Sequence, residues 1–239
     1  SLEALGAKVL YRCVDVRDRD ALEKAIDEAR AVDGPVRGII HGAGVLADSW
    51  ITEKSDEQFQ LVWSTKVDPA RHLLSICRDE ELDFISFFSS TTARLGRKGQ
   101  SDYAAANETL NRIAQIERTL RPGCRIRSIG WGPWDGGMVQ DGLRTIFHQE
   151  GIDLIPLDLG ARLFLETMET EGSPQCLIVA TLDSPEDALE RLCQFPDGQK
   201  LVQTQSPRQP QMEKGDHSLE RGATVVISID RMAPLRHHV

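Results

Sequence analysis

Apolar and polar positions come in blocks that switch between strand-like and helix-like spacing. Lys8–Asp15 reads as a strand, and Asp18–Ala31 as a helix with Leu22, Ala25, Ile26 and Ala29 on one face. Val36–His41 is a second buried strand, ending in the small-residue turn Gly42, Ala43, Gly44. A further helix opens near Ser55, with Asp56 and Glu57 in its first turn, where carboxylates suit the helix dipole. It carries Phe59, Val62, Trp63 and Lys66 up to Pro69, which either kinks it or marks a break. Leu82–Ser90 is nearly all apolar, as a central parallel strand covered on both faces should be. An Ala-rich helix from Tyr103 to Leu120, a strand over Arg125–Trp131, a helix near Gly160–Thr170 and a strand over Cys176–Ala180 complete the alternation. Such alternation predicts βαβ units around a parallel sheet, an α/β fold. Between Lys200 and Gly222 the chain turns to Gln, Pro, Ser and charge, which reads as a linker, and Thr224–Asp230 resumes as a strand.

Composition narrows the partners more than the fold. With 239 residues, 40% of them hydrophobic, the chain holds one main domain and a smaller piece. A formal net charge of −9 disfavours a nucleic-acid backbone or an anionic membrane surface as partner. Cys13, Cys77, Cys124, Cys176 and Cys193 are scattered without a CxxC spacing, which argues against a disulfide framework or a metal site and fits a reducing cytoplasm. No apolar run reaches the roughly 18–20 residues of a membrane helix. The first residues read as the tail of a helix running into a strand, so at least one element is expected ahead of residue 1.

The chemistry concentrates in Ser90–Asn107, which places a serine, a tyrosine and an asparagine where a carbonyl-reducing site needs them. Such a reaction delivers hydride to carbon while a proton reaches oxygen, and the Tyr103 hydroxyl is the candidate donor. Bringing a tyrosine from its usual pKa of about 10 to about 7 takes roughly 4 kcal/mol of preference for the phenolate. A lysine ammonium about 4 Å away supplies roughly that much at an effective dielectric constant of about 20. Asn107, one helical turn after Tyr103, has no charge to offer. Lys66 is the strongest candidate, because adjacent βα units bring its helix beside that of Tyr103. Ser90, at the carboxyl end of a central strand, lies where ligands bind in open α/β sheets and suits the substrate carbonyl. A hydrolase built on Ser90 is disfavoured, since GxSxG is absent and no histidine has an evident place beside it.

Five ordered stretches, His41–Val45, Thr65–Asp68, Phe87–Ser90, Gly99–Asn107 and Gly130–Trp134, resemble the ketoreductase domain of type I polyketide and fatty acid synthases. That family is a branch of the short-chain dehydrogenase/reductases in which lysine and asparagine have exchanged places. The resemblance covers about residues 1–182 and implies a Rossmann-like, doubly wound parallel sheet. Leu154–Arg162 and the Trp131–Val139 loop are similar to the polyunsaturated fatty acid and enediyne type. The resemblance further implies NADPH-dependent reduction of a β-ketoacyl thioester on an acyl carrier protein within a multidomain synthase. Lys66, Ser90, Tyr103 and Asn107 match the catalytic tetrad. Asp15 and Val16 would touch the adenine, Gly42, Ala43 and Gly44 would line the cofactor, and Gly132 and Pro133 would sit by the nicotinamide. Leu46–Asp48 resembles a Leu-Asp-Asp motif of reductases that form the D (3R) alcohol, with Ala47 breaking it. Asp48, Leu95 and Met138 are the candidate substrate residues.

The chain contains no glycine-rich turn after a first strand, a loop that lets backbone N–H groups approach a pyrophosphate. The resemblance therefore implies that this turn, and the residue selecting the 2′-phosphate, precede residue 1. A non-catalytic structural half of a synthase is the competing reading. Three parts are expected: a ketoreductase unit over 1–182, a helix and linker over 183–222, and the start of a following domain from 223. Met232–Val239 is similar to the opening of a hot-dog dehydratase motif, with His238 at its histidine.

Overall fold

The computed structural model describes residues 8–139, 141–150, 152–170, 172–181, 200–202 and 223–228. His238 and residues 183–199 lie outside the described residues. The elements run α1 (Arg19–Asp33), β1 (Gly38–His41), α2 (Asp56–Ile76), β2 (Phe84–Ser90), α3 (Thr92–Leu95), α4 (Ser101–Leu120), β3 (Arg125–Trp131), α5 (Asp141–Gln149), α6 (Leu157–Glu169), β4 (Gln175–Thr181), β5 (Lys200–Val202) and β6 (Ala223–Ser228). The sheet order is β1-β2-β3-β4-β6-β5, with β1 to β4 parallel and β6 antiparallel to both β4 and β5. This is the expected α/β arrangement around a parallel sheet.

Local sequence explains the main boundaries. Asp18 caps α1 by accepting from the N–H groups of Asp20 and Ala21. Ser55 and Gln58 form a capping box at the start of α2, satisfying two otherwise unpaired amides. Pro69 lies inside α2, which continues past it to Ile76, so it marks no break. In β2, neighbouring side chains turn to opposite faces. Ile85 and Phe87 join Ala70, Leu110, Ala114 and Ile126 under α2 and α4, while Phe88 packs with Ile129, Trp131, Leu163 and Ile178 towards α6. Helices therefore cover both faces, and the strand ends between them are held in place.

Three segments differ from expectation. Lys8–Asp15 forms no strand: Val9, Leu10, Tyr11 and Val14 are exposed, because among the described residues no strand runs alongside to take up its backbone groups. Asp141–Gln149 is a helix not anticipated, although Leu143, Ile146 and Phe147 have helical spacing. Lys200–Val202, inside the expected linker, pairs with β6, and β6 pairs with β4, so the ladder crosses the boundary expected at 222–223.

α4 carries both Tyr103 and Asn107, and Leu110 anchors it with no solvent exposure. Leu110→Ala is expected to cost about 3 kcal/mol in urea unfolding, through lost apolar burial and the cavity left behind.

Candidate active site

At the carboxyl ends of the parallel strands opens a cavity of about 620 Å³. Gly42 and Gly44 reach it from the end of β1, Ser89 and Ser90 from β2, and Trp131, Gly132 and Pro133 from β3. Strand ends facing a crevice are where open α/β sheets bind ligands. Phe88, Trp131, Trp134 and Phe164 form an aromatic floor, with ring centroids 4.7–6.3 Å apart in the contacting pairs.

Lys66 enters the site from α2, which packs against α4. It is 3% exposed, yet its Nζ donates to a single acceptor among the described residues, the Phe88 carbonyl at 2.9 Å. The same nitrogen lies 5.2 Å from the centroid of the Tyr103 ring. Burial pushes the Lys66 ammonium down to about 8. Its backbone is fixed as well: His41 Nε2 donates to the Lys66 carbonyl at 2.7 Å, which sets the tautomer, since a carbonyl only accepts. Burial pushes His41 down to about 4, so it is neutral near pH 7. Gly44 makes room for the ammonium, because a Cβ there would meet Lys66 Cε at 3.0 Å.

Tyr103 is buried in the first turn of α4, and the Asp102 carboxylate accepts its backbone N–H at 2.9 Å. Its hydroxyl pKa lies above the usual tyrosine value: burial raises it, the Asn107 side chain offsets part of this, and the Asp48 carboxylate adds to the rise. This corrects the expected lowering by Lys66. The ammonium lies over the ring face, and burial is the leading cause of the rise. Tyr103 is thus fully protonated near neutrality, the form a proton donor needs.

The remaining groups form two small networks. Ser90 Oγ donates to Thr92 Oγ1 at 3.1 Å and accepts the Thr92 N–H at 3.1 Å. Thr92 Oγ1 in turn donates to Gln100 Oε1 at 3.3 Å, and Gln100 Nε2 donates to Asp48 Oδ2 at 2.9 Å. Asn107 Nδ2 donates to the Tyr103 carbonyl at 2.8 Å, while its fully buried Oδ1 has no hydrogen-bond partner among the described residues. A buried unsatisfied amide oxygen is costly and marks a place for a donor.

Of the residues picked out in the sequence, Lys66, Ser90, Tyr103, Gly42, Gly44, Gly132, Pro133, Leu95 and Met138 line one cavity. Ala43, Asp48 and Asn107 stand outside the lining, Asn107 one helical turn after Tyr103 and Asp48 behind Gln100. Asp15 and Val16 are not brought to the cavity. They lie just ahead of α1, where the Arg17 guanidinium pairs with the exposed Asp15 carboxylate at 2.6 Å and holds it at about 2. His41, Thr92 and Gln100 were missed as side chains, although all three sit within or next to the quoted motifs.

The KR domain family model matches residues 1–136. This chain belongs to the KR domain family. It is 41% identical over 162 residues to one of the polyunsaturated fatty acid synthase proteins of Thraustochytrium sp., covering 67% of this chain and 6% of that protein. It is 34% identical to polyketide synthase PksL of Bacillus subtilis over 75% of this chain and 4% of that one. The chain therefore spans only a small part of the curated relatives it matches. Among solved structures it is similar to an N-terminal ketoreductase from the macrolactin assembly line, with a TM-score of 0.69 and 29% identity over 80% of this chain and 37% of the other. A ketoreductase domain from the bacillaene assembly line gives 0.67 and 34% over 74% and 44%. The KR fold here is of the short-chain dehydrogenase/reductase type, and among the described residues no helix is long and apolar enough to cross a membrane.

A buried ammonium with one acceptor costs stability. Its lowered pKa means that this burden is present below about pH 8 and is relieved as pH rises towards the usual lysine value of 10.5. Lys66→Met is expected to be more stable than the parent protein at pH 7, by on the order of 2 kcal/mol in denaturant unfolding, with the gap closing by about pH 10.

Proposed function

We propose that the cavity reduces a β-ketoacyl thioester, carried by an acyl carrier protein, to the β-hydroxyacyl thioester with NADPH. The observation that carries this reading is the pairing of a protonated Tyr103 with a buried Lys66 in one cavity. A purely structural domain would have no use for an ammonium that lowers its stability.

The residues present suit the nicotinamide end of the cofactor. Lys66 keeps two N–H groups beyond its bond to Phe88, donors suited to ribose hydroxyls, and Gly42, Gly44, Gly132 and Pro133 leave the walls around it free of bulky side chains. When bound, the reduced nicotinamide supplies the hydride. Ser90 Oγ turns from Thr92 to donate to the ketone oxygen and so fixes the carbonyl. Tyr103 gives its proton to that oxygen as negative charge builds there. The phenolate left behind is then stabilised by Lys66, whose charge acts at short range in a desolvated site. Asn107 Oδ1 accepts from the lysine or from a water that returns the proton. Leu46 and Asp48 favour the D (3R) alcohol. The acyl carrier protein and neighbouring synthase domains work alongside this unit, and the whole works in the cytoplasm.

In the longest natural chain carrying this sequence, Tyr103→Phe is expected to lower NADPH-dependent reduction of a β-ketoacyl thioester by about 10³-fold without altering the melting temperature by more than about 3 °C. Retained reduction would overturn the reading. The rate of the parent enzyme should fall as pH rises through about 8, where Lys66 loses its charge.

A further inference from the structure

Behind one wall of the cavity lies an ion pair that the mechanism does not use. Lys54 Nζ sits 2.8 Å from Asp102 Oδ2, with side chains only 5% and 1% exposed. Asp102 Oδ2 accepts no hydrogen bond among the described residues, so charge holds the contact. Replacing both members of a buried pair by neutral groups is often harmless to stability, whereas removing one leaves an uncompensated charge. Stability alone therefore gives no reason for the pair to be there.

Its other contacts do. Lys54 Nζ also donates to the Ala47 carbonyl at 2.8 Å, and Asp102 Oδ1 accepts the Tyr103 backbone N–H at 2.9 Å. The pair is a strut with two grips: one on the loop that puts Leu46 into the cavity wall, the other on the residue that gives up the proton. Two lighter ties run alongside it. The Ser49 N–H donates to the Gly99 carbonyl at 3.0 Å, and Gln100 Nε2 donates to Asp48 at 2.9 Å. Residues 46–49 are thus fastened to the turn that opens α4 at three points, of which only the Lys54–Asp102 pair reaches Tyr103 itself.

Resting on the reading of Tyr103 as proton donor, we infer that the Lys54–Asp102 pair is a positioning device that fixes the Leu46–Asp48 wall against Tyr103 and so selects which face of the ketone is reduced. A ketone with two different substituents offers either face to hydride, according to which substituent lies along the Leu46 wall and which points to Leu95 and Met138. Leu95 and Met138, also in the lining, are each 44% exposed and are poor at excluding the wrong pose, so the choice falls to the braced wall. A shift of about 1 Å in such a wall is enough to change rates by on the order of 10²-fold.

The test uses the longest natural chain carrying this sequence. Lys54→Met combined with Asp102→Asn removes both charges together, keeps an amide oxygen for the Tyr103 N–H, and leaves nothing to hold Ala47. The double variant is expected to melt within about 3 °C of the parent. Its amides at 46–49 should exchange with solvent at least about tenfold faster, the ratio of the two β-hydroxy epimers should fall at least about tenfold, and kcat should fall by a larger factor than KM rises. Lys54→Met alone, with Asp102 left unpaired, should lose stability as well. Parental exchange and a parental epimer ratio in the double variant would overturn the inference, and so would faster exchange with an unchanged ratio, since the pair would then hold the loop without choosing the face. Tyr103→Phe measured in parallel keeps the two claims apart: reduction surviving there removes the proton-donor reading, while the double variant's loop exchange and epimer ratio still report on the wall.

Discussion

The site is organised around a single lysine ammonium that has been taken almost completely out of water. Such a group is expensive to bury, and the protein surrounds it with only partial compensation: one carbonyl acceptor from Phe88 and the face of the Tyr103 ring. The arrangement demands that α2, α4 and the end of β2 keep a fixed relation to one another. Cores on both sides of the sheet supply that rigidity, with Leu110 and Phe87 on one side and Ile129 and Ile178 on the other. His41 fixes the backbone at Lys66 from β1.

The same burial decides the protonation states. Desolvation disfavours charge wherever it acts, so it draws Lys66 down and lifts Tyr103. A neutral hydroxyl and a cation that is still charged near neutrality are the two forms that proton donation to a developing alkoxide requires. Ser90, Thr92, Gln100 and Asp48 form a separate hydrogen-bonded line that runs from the end of β2 to the turn before α4.

Much of this was legible in the sequence, for physical reasons that differ by element. Arg125–Trp131 was read with its observed limits because every residue after Arg125 is buried and turn signals bracket the run. The cavity set was legible because Lys66, Ser90 and Tyr103 occupy successive βα units, which topology alone brings together. Lys8–Asp15 failed because strand pattern says nothing about whether a partner strand is alongside. Asp15 and Val16, expected at an adenine, lie just ahead of α1 and away from the cavity lining. The Tyr103 shift was misjudged because a sequence reveals the neighbouring charge and not the depth of burial. Lys54 and Asp102 were invisible for a related cause: 48 positions separate them, and only the packing of the 46–54 loop on the turn before α4 makes them a pair.

The central claim is that Lys66 is buried with too few partners and titrates far below an ordinary lysine. Selective carbon labelling of lysine, with Lys66→Met to assign the signal, allows its ε-methylene shift to be followed against pH in the folded protein. A midpoint near 8 is the predicted result. A midpoint at the usual value of 10.5 would mean that the ammonium is solvated, and the account of the site would be wrong.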